Sequence, residues 1–192
     1  IVAFIFSFFV FSFYAPLAQA ATINFVSNDR AVIGEDFKVE VVLETSNENI
    51  NALEGEIIWP SDKLELVGIN DNLSIISLWI KDPNKLATST RGKLPFSGLI
   101  PSGYGEPRGQ ILTLFFRPLT SGPADLMIKD PVVLLNDGKG TPTEVDTKPL
   151  ELKILSHRGI NQLGWYILFS IVGIIIVILI WRIICRRKNL AV

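Results

Sequence analysis

Short segments that alternate apolar and polar residues recur between residues 21 and 156, and they constrain the fold more than any other feature. Residues 37–41 alternate strictly, and Leu112, Leu114 and Phe116 share one face of the most apolar segment. A period of two is the repeat of a β-strand with one buried face, and this region shows no convincing helical period. The segments predicted as strands are residues 37–43, 53–59, 64–67, 74–80, 94–100, 110–117, 124–129, 132–135 and 150–155.

Turn-forming residues separate these segments, for example Asn70-Asp71-Asn72, Pro101-Ser102-Gly103 and Asn136-Asp137-Gly138. About nine short strands without helices indicate two antiparallel sheets packed face to face. We therefore predict an all-β fold, a two-sheet β-sandwich or jelly roll. Residues 21–156 are numerous enough to form one domain with a buried core.

A different pattern follows this region. Residues 163–181 are uncharged and mostly aliphatic, and a helix of that length spans the roughly 30 Å hydrocarbon core of a bilayer. We predict a stalk at 157–162, a transmembrane helix at 163–185 and a basic cytoplasmic tail at 186–192. The aromatic and basic residues predicted to anchor this helix at the two interfaces are Trp165, Tyr166, Trp181, Arg182, Arg186, Arg187 and Lys188.

The first twenty residues predict the orientation of the chain. Residues 1–17 are almost wholly apolar and lead to Ala18-Gln19-Ala20, the small-x-small pattern that precedes signal cleavage at Ala20. We predict residues 1–20 to be a signal peptide that is incomplete at its N-terminus. A second transmembrane helix is the rival interpretation. Cleavage would leave a single-pass protein of the cell membrane, with its N-terminus outside and its C-terminus in the cytoplasm.

Charge and cysteine content restrict the classes of partner and the kinds of covalent cross-link that are possible for the exported region. The chain has 19 acidic and 18 basic residues, and four of the basic ones lie in or beside the predicted tail. The exported region is therefore mildly acidic, which argues against a nucleic-acid partner. The one cysteine, Cys185, lies at the end of the apolar run, so no disulfide can form within residues 21–156. An exported domain without cysteine favours a prokaryotic protein, bacterial or archaeal.

Several motifs together resemble cellulosomal cohesin domains. AVIGEDFKVEV at residues 31–41 is similar to their opening turn and first long strand, and NALEGEIIWP at residues 51–60 resembles the strand that follows. LELV at residues 64–67 corresponds to a short strand, and GQILTLFF at residues 109–116 to a late strand that begins with glycine. The resemblance covers residues 23–154.

The resemblance implies a nine-stranded jelly roll related to carbohydrate-binding modules, with a non-catalytic binding role. It also implies a protein partner, a calcium-loaded dockerin carried by an enzyme, and a link to polysaccharide catabolism. These expectations come from the likeness of the motifs and not from composition or spacing.

The residues themselves argue against catalysis. His157 is the only histidine and lies in the predicted stalk, which excludes a Ser-His-Asp or Cys-His arrangement and a histidine zinc site within the domain. Glu54 and Glu56 share a strand face, but their neighbours favour the solvent face of a sheet edge over a carboxylate pair for glycoside hydrolysis. We predict that the protein is not an enzyme.

Exposed aromatic rings can stack on sugars, so aromatic residues are the candidate ligand-binding positions. Tyr104 is the best of them because Gly103 and Gly105 flank it and predict a loop. Trp59 and Trp79 are the others, although core packing is the favoured interpretation of both. Asp71 and Asp137 are weak calcium candidates in sequences that tight turns also use, so no cofactor is predicted.

These observations lead to a prediction of function. We expect a non-catalytic, membrane-anchored binding module that holds a dockerin-like protein or a polysaccharide at the cell surface. The alternative is a structural or adhesive protein of the cell envelope whose sandwich serves as a spacer.

Overall fold

The structure, a computed structural model, describes residues 20–86, 91–156 and 162–188. In the last range it describes the side chains of Tyr166, residues 169–179, Trp181 and Arg182. The described chain falls into two compact units, one ending at Ser156 and one that contains the C-terminal helix.

Two sheets form a β-sandwich, as the alternation predicted. The strands of the first sheet, in spatial order, are β10 (Val145–Lys148), β1 (Ala21–Val26), β2 (Phe37–Glu44), β7 (Arg108–Pro118) and β4 (Leu64–Asn70). The strands of the second are β11 (Leu150–Ile154), β8 (Gly122–Leu135), β3 (Ile50–Ile58), β6 (Lys93–Tyr104) and β5 (Leu78–Lys81). A two-residue strand, β9 (Pro142–Thr143), pairs with β8. The strand pairs are antiparallel, except that β1 and β10 run parallel.

Two helices accompany the described strands. The one-turn helix α1 (Pro83–Leu86) lies between β5 and β6, in a region where the sequence predicted no helix. Helix α2 (Gln162–Lys188) includes the apolar run that was predicted to cross a membrane. Within the residues that the structure describes, no helix is long and apolar enough to qualify as a membrane span. The transmembrane assignment of residues 163–185 therefore stays a prediction.

The core lies between the two sheets. Leu112, Leu114 and Phe116 of β7 are fully buried, which confirms the strand register predicted from their alternation. Phe116 contacts the rings of two other core residues, Phe37 of β2 and Trp59 just after β3. Because Trp59 follows a strand of the second sheet and Phe116 belongs to the first, these rings join the two sheets.

Two predicted segments, 124–129 and 132–135, belong to one continuous strand, β8. The apolar alternation is interrupted at Asp130, whose φ of 48° lies in the left-handed region, and at Pro131, which has no backbone N–H. This irregularity is why the sequence pattern predicted two strands, although the strand itself continues through it. Strand β1 was not predicted, although Ala21, Ile23 and Phe25 alternate with less buried residues and are buried.

The connection from β4 to β5 crosses from one sheet to the other. The Ile75 N–H donates to the Gln110 carbonyl of β7, and the Ser77 N–H donates to the Leu99 carbonyl of β6. Between them, the buried side chain of Ile76 packs directly against Gly98. Most of the predicted strand 74–80 is therefore a bridge between the sheets, and only its end pairs as β5.

Candidate functional site

The outer surface formed by β8, β3, β6 and β5, which we call the groove face, carries the clearest candidate site. Successive side chains of a strand point to opposite sides of the sheet. Leu53 and Ile57 of β3 are buried in the core, so Glu54, Glu56 and Ile58 face outward. β3 is hydrogen-bonded to β6 on one side and to β8 on the other. The expectation that the two glutamates lie at a sheet edge is therefore wrong, because their strand is central.

Strand register aligns outward residues in rows across the groove face. In the first row, Ala52 of β3 lies between Leu134 of β8 and Leu99 of β6. Leu99 in turn is opposite Leu78 of β5, whose side chain is exposed. This row is therefore apolar on all four strands.

The second row contains charged, polar and apolar residues. Glu54 lies between Val132 of β8 and Ser97 of β6, and Lys81 of β5 pairs with Ser97. A β-bulge before Lys81 leaves the side chain of Ile80 62% exposed beside this row. Together the two rows enclose an open groove of about 180 Å³. Its outward-facing lining consists of Ala52, Glu54, Ile80, Ser97, Leu99, Val132 and Leu134.

A charged belt follows the groove along β3. Lys81 Nζ lies 3.9 Å from Glu54 Oε2, and Lys93 Nζ lies 3.9 Å from Glu56 Oε1. Both lysine side chains are more than half exposed. Exposed pairs of this length contribute little to stability, about 0–1 kcal/mol. The two carboxylates are thus partly neutralised but remain accessible to other cations.

Beyond the belt, the next outward residue of β3 is Ile58, which lies between Met127 of β8 and Lys93 of β6. The Met127 side chain is 49% exposed. Within the described residues up to Ser156, eight large apolar side chains are exposed, and four of them lie on the groove face. Those four are Leu78, Ile80, Met127 and Val132. The other four are distributed over different strands and loops, so the groove face holds the main apolar cluster.

Tyr104 was predicted to lie in an exposed loop, but the structure places it at the end of β6. Its hydroxyl donates a hydrogen bond of 2.6 Å to the Arg108 carbonyl, and its ring is partly buried against the core. Burial, followed by the nearby negative charge of Glu106, raises the pKa of the Tyr104 hydroxyl. The ring is therefore held by the fold, and only part of it is accessible.

The two tryptophans pack mainly inward. Trp59 is 5% exposed, and its indole N–H donates to the Leu64 carbonyl at 3.1 Å. Trp79 of β5 is partly buried, and its indole N–H donates to Asp71 Oδ2 at 2.9 Å. Neither ring presents a fully open face for stacking on a sugar.

The two weak calcium candidates act in local hydrogen bonds. Asp71 accepts the Trp79 bond, and Asp137 accepts bonds from the Lys139 and Gly140 backbone N–H groups at 2.9 Å and from the Thr141 hydroxyl. The hydroxyl of Thr141, with the Lys139 N–H, lowers the pKa of Asp137 to about 2. Among the described residues, no three His, Cys, Asp or Glu side chains cluster as metal ligands would.

Several predicted positions lie outside the described part of the chain. Ala18 is one of them, as are the side chains of Trp165, Arg186, Arg187 and Lys188. Ala20, the predicted cleavage position, is described, and its carbonyl accepts a bond of 2.7 Å from the Ser46 hydroxyl. The side chains of Tyr166, Trp181 and Arg182 are exposed on α2.

The groove was not predicted from the sequence. Its residues come from four strands, and each residue is of a type that is ordinary at a strand position. The only local signal is that apolar residues occupy both faces of the short segments that contain Ile80 and Val132. Such continuity indicates a strand with an apolar outer side, but it does not reveal which strands are neighbours.

Comparison with solved structures identifies cohesin modules as structural neighbours. A crystal structure of a CaDoc0917–CaCohA2 complex aligns at a TM-score of 0.56 and 15% identity, covering 70% of this chain and 99% of that one. CaCohA2 is from Clostridium acetobutylicum. The cohesin module of a family 33 glycoside hydrolase from Clostridium perfringens aligns at 0.54 and 14% identity, covering 72% of this chain and 99% of that one.

A non-cellulosomal cohesin from the hyperthermophilic archaeon Archaeoglobus fulgidus aligns at a TM-score of 0.59 and 18% identity, covering 73% of this chain and 94% of that one. No sequence model of a protein family matches the chain, and no curated protein matches its sequence. At these identities the likeness establishes the fold, which is cohesin-like.

Proposed function

We propose that the protein is a non-catalytic binding module that holds a protein partner on its groove face. The observation that carries this proposal is the set of exposed apolar side chains on one sheet surface. Ile80 and Val132 line a groove there, and Met127 lies on the same surface beyond a weakly paired charged belt. Contiguous exposed apolar surface rimmed by polar groups is typical of protein–protein interfaces.

The size of the groove favours a protein over a small ligand. Sites for drug-sized molecules usually enclose about 300–1,000 Å³ and bury most of the ligand. The groove measures about 180 Å³ and is open to solvent. It therefore suits one or two side chains of a partner that also contacts the surrounding sheet.

The structural neighbours favour a dockerin-like partner. One of them was crystallised as a complex of CaDoc0917 with the cohesin CaCohA2, and its fold resembles that of this chain. The motif resemblance to cohesins points in the same direction. A catalytic role has no support in the described residues, because they hold no histidine and no metal-ligand cluster.

Polysaccharide binding has weaker support. Glycan recognition by flat rings needs exposed aromatic side chains. Within residues 20–86 and 91–156, every aromatic side chain is buried or half-buried, and the polar groups of Tyr104, Trp59 and Trp79 are all hydrogen-bonded.

We also propose that helix α2 displays the domain from a membrane, outside the cell. The support is the uncharged run of residues 163–181, the basic cluster that follows it and the exposure of its described side chains, such as Ile174 and Val177. A helix that is apolar all round needs an apolar environment to be stable.

The binding proposal is tested by comparing which proteins are captured by the wild type and by two matched variants. Full-length protein in detergent is immobilised as wild type, as Val132→Glu and as Val67→Glu, and is exposed to the exported proteins of the source cells. Val132 is 37% exposed on the groove face, and Val67 is 38% exposed on β4 of the other sheet. We expect one protein to be captured by the wild type and by Val67→Glu but lost with Val132→Glu.

Equal capture by all three forms would overturn the assignment of the groove face. Capture of no protein by any form would favour the alternative function, a structural spacer of the cell envelope.

A further inference from the structure

The turn that follows β4 carries a short motif that lies outside the groove face. Residues 72–74 are Asn-Leu-Ser, the only Asn-x-Ser/Thr sequence in the chain. This sequence is the acceptor for N-glycosylation of an exported protein, and it needs a hydroxyl two residues after the asparagine. Because so short a motif also occurs by chance, it marks a site only where the fold holds the asparagine at the surface.

The structure places Asn72 at the tip of a surface turn. The Ser74 N–H donates to the Asp71 carbonyl at 2.9 Å, which closes a β-turn with Asn72 and Leu73 at its central positions. The Asn72 N–H donates to Asn70 Oδ1 at 2.9 Å and so fixes the start of the turn. Asn72 is exposed, and within the described part of the chain its side-chain amide has no hydrogen-bond partner. A sugar joined to this amide would therefore break no contact of the fold.

The surroundings of the turn give an attached glycan a physical role. Leu73 is 75% exposed, more than any other large apolar side chain of the described residues up to Ser156. The turn also lies between two sheet edges, because among the described strands β4 pairs with β7 alone and β5 with β6 alone. Free strand edges and exposed apolar side chains promote association between copies of a protein unless they are covered. A hydrated glycan on Asn72 would cover both.

We propose that Asn72 is an N-glycosylation site of the exported domain, and that its glycan covers Leu73 and the adjoining edges of β4 and β5. The donor is a lipid-linked oligosaccharide, which a membrane-bound transferase uses on the exported side. The Asn72 Nδ2 forms a bond to the anomeric carbon of the sugar, and the bond from that carbon to the phosphate oxygen of the lipid breaks. The lipid phosphate leaves with the electron pair, and one amide proton passes to a base of the transferase. This inference rests on the proposed export of the domain.

The test is mass spectrometry of the full-length protein, purified in detergent from the source cells. Trypsin releases Asn72 within the peptide Leu64–Lys81. Three variants change the motif: Asn72→Gln removes the acceptor, Ser74→Ala removes only the hydroxyl, and Ser74→Thr keeps both. Asn84→Gln is the control, because Asn84 is exposed but has no serine or threonine two residues later.

We expect this peptide to be heavier by an oligosaccharide in most copies of the wild type, of Ser74→Thr and of Asn84→Gln. Electron-transfer fragmentation should place the added mass on Asn72. The Asn72→Gln and Ser74→Ala peptides should have the unmodified mass. Loss of the glycan with Ser74→Ala is the specific result, because a modification that needs only an exposed asparagine would persist in that variant.

Light scattering during heating tests the covering role of the glycan. Asn72→Gln should aggregate at a lower temperature than the wild type or Asn84→Gln, because loss of the glycan uncovers Leu73 and the two strand edges. Adding Leu73→Ser to Asn72→Gln should recover part of this difference. Equal aggregation of the wild type and Asn72→Gln would refute the covering role.

Protease added to intact cells separates failure of this inference from failure of the proposed export. An unmodified wild-type peptide, from protein that the protease digests, would refute the glycosylation site and leave export and the binding function standing. An unmodified peptide from protein that is fully protected would refute both the site and the export, because the transferase acts only on exported chain.

Discussion

The indole ring of Trp59 meets the ring of Phe116 edge to face, with centroids 5.3 Å apart and planes inclined at 68°. This is a favourable aromatic geometry, worth about 0.5–1.5 kcal/mol beyond burial. The Trp59 N–H is satisfied by the Leu64 carbonyl, so the indole is buried without an unpaired polar group. The pair connects the end of β3 to the last part of β7 and explains why Trp59 is not available to a ligand.

Replacing Phe116 with alanine should destabilise the domain by about 3–5 kcal/mol, because the side chain is fully buried and would leave a cavity between the sheets. Chemical denaturation measures the change. Phe115→Ala is the control, since Phe115 is only partly buried, on the opposite side of β7, and should cost clearly less. A loss below about 1 kcal/mol for Phe116→Ala would mean that the register of β7 is wrong.

Gly98→Ala should destabilise the protein by about 1–3 kcal/mol, because its new methyl group would collide with the buried side chain of Ile76. Adding Ile76→Ala should recover part of the loss, so the double variant should be more stable than the sum of the single changes predicts. Gly105→Ala is the control, since a Cβ there meets nothing within 4 Å. Strict additivity would show that the two residues do not touch.

Asp137→Asn should reduce stability at neutral pH but not in strong acid. The pKa of Asp137 is lowered from 3.8 to about 2, chiefly by the Thr141 hydroxyl. A lowered carboxyl pKa contributes stability that is present above 3.8 and is lost as the pH falls through about 2. Thermal unfolding across this range should show the difference between wild type and variant shrinking toward low pH. The control is Asp125→Asn, on the exposed outer side of β8, and a gap that persists below pH 2 would contradict the assignment.

Tyr104→Ala should not change the migration of the detergent-solubilised protein in native gels that contain soluble xylan or carboxymethylcellulose. The physical reason is that the ring is partly buried and its hydroxyl is bound to the Arg108 carbonyl. Tyr104→Phe, which keeps the ring and loses this hydrogen bond, is the control. If the wild type is retarded and Tyr104→Ala abolishes the retardation, polysaccharide binding becomes the better supported function and the preference for a protein partner is wrong.

Protease added to intact cells should remove the region up to Ser156 and leave a small membrane-bound fragment with residues 165–192. The reason is the predicted export of the N-terminus, together with the basic cluster after the apolar run, which favours a cytoplasmic C-terminus. An antibody against a C-terminal tag detects the fragment in the membrane pellet. Full protection of the chain would reverse the orientation, and release of the protein by alkaline carbonate would refute the anchor.

Local sequence determined most of the strand segments and which of their side chains are buried. The alternation through Leu112, Leu114 and Phe116 specified both, because a strand with one buried face repeats every two residues regardless of its neighbours. The single histidine likewise excluded whole classes of catalytic site, because those sites require a histidine whatever the fold. Where local pattern failed, as at Asp130 and Pro131, backbone geometry interrupted the alternation but not the strand.

Only the tertiary structure decided which strands are neighbours, and the groove depends on that. Val132 and Glu54 are far apart in sequence, yet they become adjacent because β8 pairs with β3 in one particular register. The same pairing placed the two glutamates at the centre of a sheet. The sequence predicted Tyr104 in an exposed loop, but it lies at the end of β6 and is partly buried against the core. Alternation is set by the geometry of one strand, whereas pairing is set by long-range contacts that a local pattern does not contain.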